Sequence, residues 1–131
     1  MRFDKIFLPS ILVLLSLLLS LNTVSAQDES AETVEKLMIF QMEALRIKNH
    51  QAFIKHGNEA FKSFMDEYTF DSLILQRSAK IEKGYQLEYL GDIKSIGMRR
   101  HLWKVHISGD KYQLLGSLSL SHGKVVGFSL E

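Results

Sequence analysis

The segment MRRHLWKVHISG, residues 98–109, gathers two arginines, two histidines and the only tryptophan of a 131-residue chain. Imidazole titrates near neutral pH and can act as a general base. A guanidinium can clamp an acid, and an indole supplies an apolar wall. These groups work together only if they share a face. Trp103, Val105 and Ile107 alternate with Lys104 and His106, which reads as a strand whose successive side chains point to opposite sides. The Trp-Val-Ile side must be the core side. Arg99 and His101 continue it toward one rim, and His106 points the other way. His101 and His106 therefore cannot share a metal ion from this strand.

The ordinary reading of His101 is a rim histidine hydrogen-bonded to backbone or to a tyrosine. The functional reading puts Arg99, His101 and Trp103 at a pocket mouth with Tyr85, Tyr89 and Tyr112. Apolar walls with a few polar groups are the usual lining of small-ligand sites. In that setting His101 is the candidate general base. Other chemistry is weaker. His50 and His56 lie six apart, which is not a one-face helical spacing. Asp66, Glu67 and Asp71 read as turn carboxylates and a helix cap. Glu88 and Asp92 fall on the outward parity unless a bulge near Gly91 reverses it. Without that reversal the core face lacks the carboxylate that isomerase chemistry requires. No HExxH, GxSxG, GxGxxG or Walker pattern occurs. No cysteine is present, so there is no thiolate nucleophile, disulfide, lipidated cysteine or cysteine-metal site. Neither a metal nor a cofactor is expected.

The chain opens with Arg2 and Lys5, then the apolar run ILVLLSLLLSL at residues 11–21, then small residues at Val24 and Ala26. This is the n-, h- and c-region pattern of a secretory signal peptide, residues 1–26. The alternative is an uncleaved anchor, but Pro9, Ser10 and Asn22 bound a run shorter than the roughly 20 apolar residues of a spanning helix. Residues 27–131 then form one domain. Loss of Arg2, Asp4 and Lys5 leaves basic and acidic residues in balance. That balance argues against nucleic acid, which needs a basic field to release counterions, and no membrane partner is expected after cleavage. A small exported protein without disulfides fits the bacterial periplasm or exterior.

Three helices are predicted. Ser30 caps the first, whose Val34, Leu37, Met38, Gln41 and Leu45 follow helical spacing, and it ends near Lys48-Asn49. Asn49 caps a second, with Phe53, Phe61 and Phe64 as a core stripe. Gly57 either breaks that helix or admits a close neighbour. A third runs from about Phe70 to Lys83 with Phe70, Leu73, Ile74 and Ile81 inward and Gly84 as its stop. From residue 85 the period becomes 2. Turns near Ile96-Gly97, Ser108-Gly109-Asp110 and Ser121-His122-Gly123-Lys124 separate four strands. Segregated helices and strands predict an α+β fold, with N-terminal helices on a curved four-stranded antiparallel sheet.

EALRIKNHQAF, GYQLEYLGDIKS, HLWKVHISG and the closing LSLSHGKVVGFSL, taken in order, resemble the nuclear-transport-factor-2-like superfamily. They are most similar to its small exported domains ending in a DGKV-G-F hairpin. Here His122 stands where that hairpin often has aspartate. The resemblance covers residues 32–131. It implies a cone in which a curved sheet wraps helices around a pocket. The superfamily holds ketosteroid isomerases, dehydratases, polyketide cyclases and many proteins that only bind. Dimerisation through the sheet is frequent in it. Leu90, Leu102, Leu115 and Val125 put an apolar residue per strand on the outer face, which predicts a homodimer seam.

The expected function is an exported, non-catalytic domain binding a small apolar ligand or a protein partner. One alternative is a small-molecule isomerase, dehydratase or hydrolase using His101. The other is a structural dimerisation module.

Overall fold

The computed structural model describes residues 29–131; the signal-peptide segment and its cleavage site lie outside the described residues. Among the described residues four helices precede four strands: α1 (Ala31–Arg46), α2 (His50–Ile54), α3 (Glu59–Phe64), α4 (Glu67–Glu82), β1 (Tyr85–Ser95), β2 (Met98–Ile107), β3 (Gln113–Ser121) and β4 (Lys124–Leu130). The strands form one antiparallel meander in the order β1-β2-β3-β4. This is an α+β fold.

Each helix begins at a polar cap whose side chain accepts an otherwise unpaired N–H of the first turn. Ser30 Oγ accepts from Thr33 N, and Asn49 Oδ1 from Ala52 N. Asn58 Oδ1 accepts from Phe61 N, and Asp66 Oδ1 from Thr69 N. Asp66 thus begins the last helix one turn before the expected Phe70.

The expected second helix is two. Gly57 sits between α2 and α3, and a β-carbon there would collide with the Phe61 ring. The chain unwinds and pairs with β4 instead. Val125 N donates to His56 O at 2.9 Å, and Asn58 N donates to Val125 O at 3.0 Å. Both sequence alternatives for Gly57 are therefore realised together. The break also resets the helical phase. Phe53 and Phe61 stay buried, but Phe64, expected in the core stripe, is 71% exposed.

The core lies between the helices and one sheet face. Met38, Met42 and Leu45 of α1, Phe53 of α2 and Phe70 and Ile81 of α4 meet Trp103, Val105, Leu118 and Leu130. The Phe53 ring lies within 6.0 Å of the rings of Phe61, Phe70 and Phe128. Gly116 leaves β3 open beneath Met38: a side chain there would press on Met38 Cε and Val105 Cγ2. Arg77 Nε donates to Leu130 O at 2.8 Å and ties α4 to the end of β4.

Two bulges shift the sheet register. Tyr89 faces Trp103 while Gly91 faces Leu102, so Leu90 is the extra residue in β1. Ser119 faces Gly127 while Leu120 faces Val125, so Val126 is the extra residue in β4. An extra residue moves all later side chains to the opposite face. Val125, expected on the outer seam, is consequently buried against Leu120 in the core, and the predicted seam loses that member. Leu90 and Leu115 are exposed and Leu102 is half-buried.

Truncating Phe53 to alanine removes the ring at the centre of this aromatic cluster and is expected to cost about 3–5 kcal/mol. Phe64→Ala is expected to cost less than about 0.5 kcal/mol. Urea denaturation of the two variants checks the contrast, and equal losses would contradict the interrupted helix.

Candidate functional site

The inner face of β2 runs Ile107, Val105, Trp103, His101, Arg99 from the core to the rim. Trp103 is 1% exposed and His101 7%. Beyond the Leu90 bulge, β1 turns its even-numbered residues to the same side. Asp92 lies opposite His101, and Lys94 opposite Arg99. The first turns of α1 stand across from this rim. Between them is a cleft of about 270 Å³, open on one side, lined by Glu29, Ala31, Val34 and Glu35 from the helix end and by Tyr89, Asp92, Arg99, His101 and Trp103 from the sheet.

Its floor is aromatic. Tyr89 meets Trp103 edge-on at 5.4 Å between centroids, and both rings lie about 6 Å from the His101 ring. Tyr89 Oη and His101 Nδ1 are 2.9 Å apart. Arg99 Nε reaches Asp92 Oδ2 at 3.2 Å, with both side chains about one-third exposed.

Burial pushes the His101 imidazole below the usual histidine range; Asp92 opposes that shift and Arg99 adds to it. Burial, with help from Asp92, pushes the Tyr89 phenol up while Arg99 offsets it. At neutral pH the pair is therefore a neutral imidazole and a protonated phenol. When the phenol donates to Nδ1, Nε2 carries the ring proton and is a donor. When the hydroxyl accepts from Nδ1, Nε2 is an acceptor. Nε2 has no hydrogen bond among the described residues. The pair thus offers a ligand one nitrogen whose hydrogen-bonding sense can follow the ligand.

Of the six side chains expected to line a pocket, the fold brings together Tyr89, Arg99, His101 and Trp103. Tyr85 lies on the inner face at the opposite end of β1. Its hydroxyl donates to Glu43 Oε2 at 2.9 Å, and Glu43 pairs with Arg46 at 2.9 Å. Arg46 holds the Glu43 carboxyl below its ordinary range, whereas burial and then Glu43 push the Tyr85 phenol up. Tyr112 precedes β3 in the turn and is 79% exposed, because the strand pairing starts only at Gln113. His106 lies on the outer face, where Nε2 meets Glu88 Oε2 at 2.9 Å.

The helix contributions, Glu29, Ala31, Val34 and Glu35, carry no local signal of a site; only the packing of α1 over the rim assembles them. Asp92 had a signal in Gly91, whose φ of 134° lies where L side chains rarely go. Among the described residues no three histidine, aspartate or glutamate side chains come together as a metal site. No protein-family model matches the chain, and no curated protein matches it either.

Because burial keeps His101 neutral, the unfolded chain takes up its proton first as the pH falls through about 6.5. Its contribution is complete above that value and is lost on acidification toward the lower, folded pKa. His56, pushed down by burial, Lys55 and Lys124, acts in the same direction. Urea midpoints at several pH values between 7 and 5 are expected to fall more steeply for the wild type than for His101→Gln. Parallel slopes would contradict the burial of a neutral imidazole.

Proposed function

We propose that the chain is an exported domain of the nuclear-transport-factor-2-like type. In this reading the cleft between the first turns of α1 and the β1–β2 rim receives a small, largely apolar ligand. The observation that carries the reading is the convergence of Trp103, Tyr89 and Val34 with a single hydrogen-bonding nitrogen on His101 in one open cleft. Its volume lies near the lower end of the roughly 300–1,000 Å³ typical of ligand pockets, which suits a ligand of one ring. Glu29, Glu35 and Asp92 against Arg99 make the lining net acidic, which disfavours anions. Export is supported by the signal pattern of residues 1–26.

A second reading has one observation in its favour. The Leu90 bulge turns Asp92 to the His101 side and supplies the carboxylate that strand parity withheld. An acid–base enzyme would use neutral His101 as base, Tyr89 as the hydroxyl that orients it and Asp92 to stabilise the imidazolium formed. Asp92 is already shared with Arg99, so the binding reading takes precedence. If turnover of any substrate is found, His101→Ala is expected to lower kcat at least a hundredfold; full turnover by that variant would end the second reading.

The sole tryptophan reports on the cleft directly. Titration with benzyl alcohol or benzylamine is expected to shift or quench Trp103 emission, while benzoate does so more weakly. Ala31→Phe, which fills the cleft from the exposed start of α1, is expected to abolish the response. An emission spectrum indifferent to all three probes would overturn the binding reading.

A further inference from the structure

The β1–β2 hairpin turns through Ser95-Ile96-Gly97-Met98, with Gly97 at a φ of 75°. Asn, Asp and Gly serve such a turn. An isoleucine does nothing for it, yet Ile96 occupies the tip and is fully exposed. Ile93 and Met98, on the outer face of the same hairpin, are also exposed. Three apolar side chains thus face water where no packing requires them. Ser121 Oγ donates to Gly97 O at 2.6 Å and pins the tip to the end of β3, so it is presented in a fixed position.

Cations surround this tip. Lys94 and Arg99 lie on its inner side, and Arg100 lies on the outer side opposite Ile93. Asp92 is the one carboxylate between Gly91 and Arg100, and it pairs with Arg99. Neither Lys94 nor Arg100 has an ion pair among the described residues. Beside the tip is a notch of about 240 Å³ lined by Lys94 and His122 and by Arg99, whose guanidinium already pairs with Asp92. A second copy of the chain is a poor occupant, because a two-fold contact through this surface would set its cations against themselves.

We propose that the hairpin tip docks on an anionic phospholipid surface. Ile96, flanked by Ile93 and Met98, enters the boundary between headgroups and acyl chains. Lys94 and Arg100 receive lipid phosphates. Apolar insertion beside a cluster of cations is the pairing that interfacial binding uses. The expectation of no membrane partner rested on loss of the signal segment, and the balanced net charge is a sum over the whole chain that hides this local excess.

The test is flotation of residues 27–131 with vesicles of phosphatidylcholine alone or mixed equally with phosphatidylglycerol. Partitioning into the mixed vesicles is expected to exceed that into phosphatidylcholine by about tenfold or more. It should collapse in about 0.5 M sodium chloride, where screening acts within a few ångströms. Ile96→Asp, and separately Lys94→Glu with Arg100→Glu, are expected to lower it about tenfold with far-UV circular dichroism and Tm unchanged. The proposal is overturned if the wild type floats with neither vesicle, or if Ile96→Asp floats as well as the wild type. It is equally overturned if Ile96→Asp reduces the gel-filtration mass, since the tip would then be a contact between copies.

Discussion

Burial of the Trp103 indole beneath α1 orients everything on the second strand. A strand has two faces, and an indole that is 1% exposed can occupy only one of them. Once it is placed, Val105 and Ile107 must follow it inward on one side and His101 and Arg99 on the other. The same constraint passes across the ladder. Tyr89 pairs with Trp103, and Leu118 pairs with His101. Gly116, directly opposite Trp103, leaves the space in which Met38 of α1 closes the core.

The cleft exists because the hairpin is longer than the helix that covers it. Val34 is the outermost core residue of α1, and beyond it the first helical turn stands over His101 and Arg99 without filling the gap. Polar groups tolerate that position because each has a partner or reaches solvent. Tyr89 satisfies one imidazole nitrogen, and Asp92 satisfies the guanidinium. Farther along the same hairpin the helical cover ends altogether, and Ile96 at the tip emerges into water. One hairpin thus passes from dry core to half-open cleft to bare tip.

The helical layer obeys a similar logic of phase. A helix keeps its apolar stripe only while its turns are uninterrupted. Gly57 interrupts them where β4 approaches, and the hydrogen bonds lost inside the helix are replaced by bonds to Val125. Phe61 still reaches the core after the break, but Phe64 does not. Likewise each bulge changes which parity faces inward. That change exchanges Val125 for Val126 in β4 and brings Asp92 inward in β1.

Local residue pattern by itself determined the α+β class, the helix caps at Ser30 and Asn49, the meander and its turns, and the inward face of Trp103, Val105 and Ile107. These follow from nearest-neighbour geometry: a cap needs an oxygen two or three residues before an N–H, and a strand alternates whatever its partners are. Where a strand gains an extra residue, where a helix yields to a neighbouring strand, and which distant segments share a rim were decided only by the tertiary structure. Those outcomes depend on side chains far apart in the chain competing for the same space. Hence Tyr85 and Tyr112, aromatic and near the right parity, do not line the cleft, whereas Glu29, Ala31, Val34 and Glu35 join it only because α1 packs across the sheet.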